Sequence, residues 1–170
     1  MNNKGFTLTE LTVTLALLGI MSAISIPSYF SWLPRHRLQT SVRHIYDDMN
    51  MARSRAVKTN ADIGIQFDTS NETYRIFIDA NQDQTLVDTV DTVLSTGTLE
   101  NDVDITGSTL NNTSLNNTYV YNSRGMSADT SSDFYDVYLT NSTGLFYRVR
   151  ASVAGSLSIM SSTDEGNTWS

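Results

Sequence analysis

Hydrophobic and polar positions follow three different rhythms along this chain. From Leu11 to Pro34 there is no charged residue at all, a run of 24 positions. At 1.5 Å per residue, a helix of that length spans the ~30 Å hydrocarbon layer of a bilayer. Beyond Pro34 the run gives way to an amphipathic pattern. Leu38, Val42, Ile45, Met49, Ala52 and Ala56 recur at three- and four-residue spacing, with Arg37, Arg43, Asp47, Arg53 and Arg55 between them. That spacing predicts a helix over 35–59 with one apolar face packed on a domain, a stripe that reads as core and not as a cofactor pocket. After Asn60 short β-like runs take over, separated by clusters of Asn, Asp, Gly and Ser. The predicted strands are 61–67, 73–78, 86–94, 119–121, 134–139, 145–153 and 156–160. The polar tract from Gly107 to Thr118 has almost nothing to bury and is expected to be a mobile loop. The fold class expected is therefore α+β, a long N-terminal helix with a membrane-spanning half and an amphipathic half, the latter packed on antiparallel sheets.

Charge sharpens this division. Up to Lys58 there are seven Lys/Arg and three acids; from Thr59 onward four arginines face fifteen acids, an excess of 11 negative charges in a chain whose net charge is -7. Most of the globular surface should repel nucleic acid and anionic headgroups. Cysteine is absent, which excludes disulfides, thiolate metal sites and a Cys nucleophile.

The N-terminus carries the most informative chemistry. Met1 to Gly5 is a short polar segment with one positive charge, Lys4, and the apolar run begins directly after it. A secretory signal places its small-residue cleavage site after the apolar core, whereas Gly5 stands before it. Cleavage there would leave the hydrophobic helix on the mature protein. Glu10 lies near the start of that helix, where a carboxylate in hydrocarbon costs on the order of 2.5 to 3.5 kcal/mol. Either it sits at headgroup level and is solvated, or it pairs with a cation supplied by another subunit. Pro27 removes a backbone hydrogen bond and should kink or locally melt the helix, unless it is a plain membrane-helix proline tolerated in lipid. Pro34 is a second expected break.

The run Lys4-Gly5-Phe6-Thr7-Leu8-Thr9-Glu10-Leu11 resembles the class III signal of type IV prepilins and type II secretion pseudopilins. The resemblance continues through Leu17-Leu18-Gly19-Ile20-Met21-Ser22-Ala23-Ile24-Ser25-Ile26-Pro27, a region where pilin-like proteins commonly carry a proline. It implies residues 1–5 as a leader, removal of that leader after Gly5 by a prepilin peptidase, and methylation of the new N-terminus, Phe6. It also implies that Glu10 pairs with the free amine of a neighbouring subunit during assembly, and that Pro27 belongs to the assembly helix over 6–34. Residues 35–170 would then be a periplasmic or extracellular pilin-like domain, with a helix over 35–59 and sheets over 61–161. The segment from Tyr46 to Lys58 is similar to the "ARSEAIKRN" region of the GspH/FimT subfamily, which includes the H-type pseudopilin and related minor pilins. The turn Asn122-Ser123-Arg124-Gly125 stands where relatives often show Pro-Arg-Gly.

Other chemistry is sparse. Asp79-Ala80-Asn81-Gln82-Asp83 has the alternating oxygen ligands that open a calcium loop, but Gln84 stands where glycine is required and Val90 where the closing glutamate belongs. A polar turn is the simpler reading, with a low-affinity calcium site using Asp79, Asn81 and Asp83 as the alternative. His36 and His44 have no acidic or thiol ligand at metal-site spacing. There is no nucleophile elbow, phosphate-binding glycine loop or zinc motif, so neither an enzyme nor a cofactor is expected. Some FimT-like minor pilins take up DNA through a Gly-Arg-x-Arg stretch, and the matching positions, Gly155-Ser156-Leu157-Ser158, lack both arginines. Arg148 and Arg150 fall on one face of the preceding strand; they make a small basic patch, or they are solvated or paired with Asp136.

The functional expectation is a minor pilin or pseudopilin that primes or joins a type IV pilus or a type II secretion pseudopilus. Its partners would be other pilins, the prepilin peptidase and an inner-membrane assembly platform. It would cross the inner membrane once, N-terminus cytoplasmic, before entering a periplasmic or extracellular filament. The alternative is a DNA-binding minor pilin for DNA uptake.

Overall fold

A computed structural model describes residues 5–110, 117–131, 133–163 and 166–170, with only the backbone described at 27, 28 and 107–110. The expected leader up to Lys4, the expected assembly role of the Pro27 ring, and the part of the expected loop at 111–116 lie outside the described residues.

One helix, α1 (Leu8–Thr59), runs for 52 residues. Thr7 caps its start in extended conformation (φ -80°, ψ 153°), and its end is closed by Asn60 in the left-handed conformation (φ 52°, ψ 42°), which donates its N–H to the Ala56 carbonyl. The helix is continuous through positions 27 and 34, so the local melting expected at Pro27 and the break expected at Pro34 do not occur. Each proline removes one hydrogen bond, at about 3 kcal/mol, and the intact turns on either side hold the path. Next to Pro34 the helix is also tied to the domain, since the Asn141 side-chain amide donates to the Pro34 carbonyl at 3.1 Å. Hydroxyls in the apolar half turn inward to their own helix: Ser22 donates to the Leu18 carbonyl at 2.8 Å and Ser25 to the Met21 carbonyl at 2.9 Å. Serines thereby fit a segment that offers no water.

Among the described residues eight strands follow: β1 (Ile63–Asp68), β2 (Thr73–Ile78), β3 (Thr92–Thr98), β4 (Val103–Leu110), β5 (Thr118–Tyr121), β6 (Phe134–Asn141), β7 (Phe146–Ser152) and β8 (Leu157–Ser162). They form two four-stranded antiparallel sheets, ordered β3-β2-β1-β5 and β4-β6-β7-β8. The core lies between the C-terminal half of α1 and both sheets. Leu38, Val42, Ile45, Met49, Ala52 and Ala56 are each 0–1% exposed there, against Ile63, Ile65 and Phe67 of β1 and Tyr135, Val137 and Leu139 of β6. The period-two alternation on β6 puts Asp136 on the opposite face. Gly64 is opposite Phe77 in the β1–β2 ladder, and a side chain on it would collide with that ring.

Two sequence expectations are corrected. The strand expected at 86–94 starts only at Thr92. Val87 and Val90 belong to a turn in which Val90 and Asp91 donate to the Val87 carbonyl at 2.9 and 2.8 Å. Asp91 closes that turn by accepting from the Ala80 and Val87 amides at 2.9 and 2.7 Å, a local bonding pattern that competes with the ladder. The loop expected from Gly107 begins instead as the second half of β4, since Gly107, Ser108, Thr109 and Leu110 pair with Tyr138, Val137, Asp136 and Tyr135. Ladder hydrogen bonds come from the main chain, so a strand at a sheet edge forms without an apolar rhythm.

Candidate functional site

The candidate site is the first two turns of α1 and the apolar surface that follows. Gly5 and Phe6 precede the helix in non-helical conformation. Phe6 is 92% exposed, and nothing lies within 4 Å of where a Cβ on Gly5 would be. Among the described residues nothing packs over the Gly5–Phe6 peptide bond. Glu10 folds back over the N-terminus. Its Oε2 accepts from the Thr7 amide at 3.0 Å and the Thr7 hydroxyl at 2.9 Å, while the Glu10 amide donates to Thr7 Oγ1 at 3.2 Å. This reciprocal arrangement is a capping box. It satisfies two donors of the first turn and fixes one carboxylate oxygen, Oε2, within the chain. Thr7 was not among the expected site residues, although its signal, Thr three positions before Glu at the start of an apolar run, stands in the sequence.

Behind this cap, Leu8–Ile26 is long and apolar enough to cross a membrane, with a mean hydropathy of 1.7, and none of it is covered by the rest of the chain. Leu11, Val13, Leu15, Leu17, Leu18, Ile20, Met21, Ile24 and Ile26 are each between 53% and 73% exposed. At about 25 cal/mol per Å² of apolar surface, a helix bare on every face is a large unfavourable term in water and requires lipid or other apolar helices around it. Tyr29, Phe30 and Trp32 follow, exposed and in mutual edge or tilted contact, the composition of a membrane–water boundary. The His36 ring stacks on Trp32 at 4.4 Å. His44 is exposed on the same helix.

The domain is clamped to α1 by polar contacts that no single-residue pattern announces. Arg53 Nε donates to the Gly125 carbonyl at 2.8 Å, and its Nη2 reaches the Ala154 carbonyl at 3.4 Å. One helix residue thus holds both the turn Asn122–Gly125, closed by a 2.8 Å bond from the Gly125 amide to the Asn122 carbonyl, and the β7–β8 turn. Tyr74 of β2 donates to Asp48 at 2.5 Å, and burial together with that carboxylate pushes its phenol well above the ordinary range. Glu72 accepts from the Ile105 amide at 2.6 Å and joins the two sheets; burial raises its carboxyl.

Arg148 and Arg150 are drawn together on the outer face of the second sheet around Asp136. Arg150 Nε and Nη2 grip the two Asp136 oxygens at 2.7 Å each, and Arg148 Nη1 stands 3.6 Å from Oδ2. The Asp136 bond raises Arg150 above its usual range. Trp169 covers the Arg148 guanidinium at 4.4 Å, and the Phe134 ring covers Arg150 at 4.5 Å. Arg148 is buried. This is a closed ion-pair cluster, not a patch facing a polyanion. Gly155, Ser156, Leu157 and Ser158 at the β7–β8 turn bring no basic group to it. Asp79, Asn81 and Asp83 lie together in the β2–β3 connection, where Asn81 Nδ2 donates to Asp83 Oδ2 at 2.7 Å.

Comparison with known proteins agrees with this geometry. The family "Type II transport protein GspH" matches residues 41–155, roughly two thirds of the chain, and the "Prokaryotic N-terminal methylation motif" matches residues 1–26. The fold is that of the minor pseudopilin EpsH from the type 2 secretion system of Vibrio cholerae, with a TM-score of 0.55 at 14% identity over 72% of this chain and 95% of that one. It is also that of the type IV minor pilin FimU of Pseudomonas aeruginosa, with a TM-score of 0.54 at 14% identity over 74% of this chain and 89% of that one. No curated protein sequence matches.

Proposed function

This chain belongs to the GspH family of minor pseudopilins and pilins, structural subunits and not enzymes, and we propose that it primes or joins a type IV pilus or a type II secretion pseudopilus after cleavage following Gly5 and methylation of Phe6. The observation that carries this reading is the uncovered apolar half of α1 with a single carboxylate at its head. In the membrane, lipid covers that surface. In a filament, the helices of other pilins replace the lipid.

Glu10 is the pivot of the proposed assembly step. While the subunit waits in the bilayer, the Thr7 donors hold one of its oxygens. Removal of the leader creates an amine on Phe6, and the Glu10 carboxylate of an adjacent subunit neutralises it. Two charges that are each unfavourable in an apolar bundle become tolerable as a hydrogen-bonded pair. The prepilin peptidase would act on the exposed Gly5–Phe6 bond, and an inner-membrane platform would lift the helix from the bilayer. The proposed topology has the N-terminus cytoplasmic, the assembly helix over 6–34 and the domain over 35–170 outside. DNA uptake draws no support from Arg148 and Arg150, whose guanidinium groups are engaged by Asp136.

Mass spectrometry of the protein purified from its native membrane tests the proposal. The expected product starts at Phe6 and carries one methyl group on the amine. An intact Met1–Gly5 segment would overturn it.

A further inference from the structure

The β2–β3 connection carries an observation that filament assembly does not use. Residues 79–91 contain four aspartates (Asp79, Asp83, Asp88 and Asp91) and no Lys, Arg or His. Of these, Asp88 is paired with Arg75 at 3.1 Å at the surface, and Asp91 spends both oxygens on the Ala80 and Val87 amides. Asp79 is different. It is only 3% exposed, its Oδ2 accepts from the Gln84 amide at 2.9 Å, the Gln82 amide also favours its charged form, and its Oδ1 is buried without a well-formed hydrogen bond. A buried carboxylate oxygen with no good donor has lost its hydration without full compensation.

The geometry points to a calcium-type site in this turn, in which Asp79, Asn81 and Asp83 offer their side-chain oxygens to one hard divalent cation. These are the first, third and fifth positions of a calcium loop. The objection from sequence, that Gln84 occupies the sixth position where glycine belongs, is met by the backbone: Gln84 takes φ 62°, the left-handed conformation for which that glycine is chosen. Asn81 Nδ2 donates to Asp83 Oδ2 at 2.7 Å, and Asp83 Oδ1 accepts from the Thr85 amide and hydroxyl at 2.8 and 2.7 Å, bonds that a cation would have to replace. Among the described residues no three Asp, Glu, His or Cys side chains stand together as a ready metal cluster. The remaining ligands would therefore be main-chain carbonyls and water. That donor set is all oxygen, which suits calcium and not zinc or copper. With few charged ligands the affinity belongs to the extracellular class, a Kd on the order of 0.1 to 1 mM.

Calorimetric titration of the full chain in detergent micelles with calcium chloride, and in parallel with magnesium chloride, tests this site. One calcium per chain in that affinity range is expected, with magnesium at least about tenfold weaker because it demands a tighter octahedron. Asp83→Ala and Asn81→Ala, at exposed positions, should keep the fold by circular dichroism and lose calcium affinity at least about tenfold, as should Asp79→Asn. If Asp79→Asn fails to fold, Asp83→Ala decides. No heat from wild type at about 10 mM calcium, at least tenfold above that Kd, or an unchanged affinity in Asp83→Ala, would overturn the assignment. Neither result bears on filament assembly.

Discussion

The two halves of α1 are one continuous helix made for two different surroundings. In the N-terminal half, apolar residues occupy every face, and the chain covers none of the span Leu8–Ile26. In the C-terminal half they form one stripe, and Leu38, Val42, Ile45, Met49, Ala52 and Ala56 vanish into the core while Arg37, Arg43 and Arg55 remain outside it. The contrast separates two sources of stability. The second half derives its stabilisation from its own domain, at about 25 cal/mol per Å² buried. The first half has no such partner and obtains it only from lipid or from other subunits. A helix built this way is divided in its attachments: its folded end holds the domain, and its bare end is left for lipid or other subunits.

The largest effect expected from breaking this division is on assembly. Glu10→Val should leave membrane insertion and leader removal intact yet abolish co-assembly, since it strands the partner's amine in an apolar bundle. The loss of a buried pair member is on the order of 3–5 kcal/mol, more than a hundredfold in association. Recovery of the variant in sheared filaments, measured by immunoblot beside wild type, checks it; equal recovery would sink the pairing. Next comes a paired test of the two halves. Ile45→Ala should destabilise the domain by about 2–5 kcal/mol in denaturant unfolding, whereas Leu17→Ala, the same kind of truncation at a bare position, should leave domain unfolding within about 0.5 kcal/mol. A matching loss at both sites would mean that the halves are not separate. The smallest effect concerns the cap. Thr7→Ala removes the hydroxyl that accepts from the Glu10 amide and donates to Glu10 Oε2, leaves the residue-7 amide bonded to Glu10, and should weaken the first turn by about 0.5–2 kcal/mol, read as faster amide exchange at 8–10 with the domain unchanged.

Much of this architecture was legible in the residues. Six apolar positions at helical spacing identified the core face of α1, and each is buried. The leader-like run, with Glu10 at its fixed distance from Gly5, pointed to the family that the chain matches. Where reading failed, main-chain bonding had taken over from side-chain pattern. Thr92–Thr98 is a solvent-exposed edge strand whose second half is Ser, Thr and Gly after Val93 and Leu94, and Val103–Leu110, where no strand was expected, forms because β6 offers it a ladder. The valines at 87 and 90 looked strand-like but yielded to the local bonds of Asp91. Arg148 and Arg150 could be placed on one face and Asp136 named as one possible partner, but choosing between pairing, solvation and an open patch needed the register of β6 against β7.

What the chain determined by itself is whatever depends on near neighbours: the helix and its two surroundings, the cap at Thr7 and Glu10, the exposed Gly5–Phe6 bond and the sign of the charge on each part. Only the tertiary structure decided which edge strands form, that Arg53 joins two distant turns, that Asp136 silences two arginines, and that one oxygen of Asp79 is buried without a well-formed hydrogen bond. The reason is physical. Periodicity and capping are set within a turn or two of chain, whereas pairing a strand or burying a charge needs a partner brought from far along the sequence, and nothing in either segment alone specifies which partner arrives.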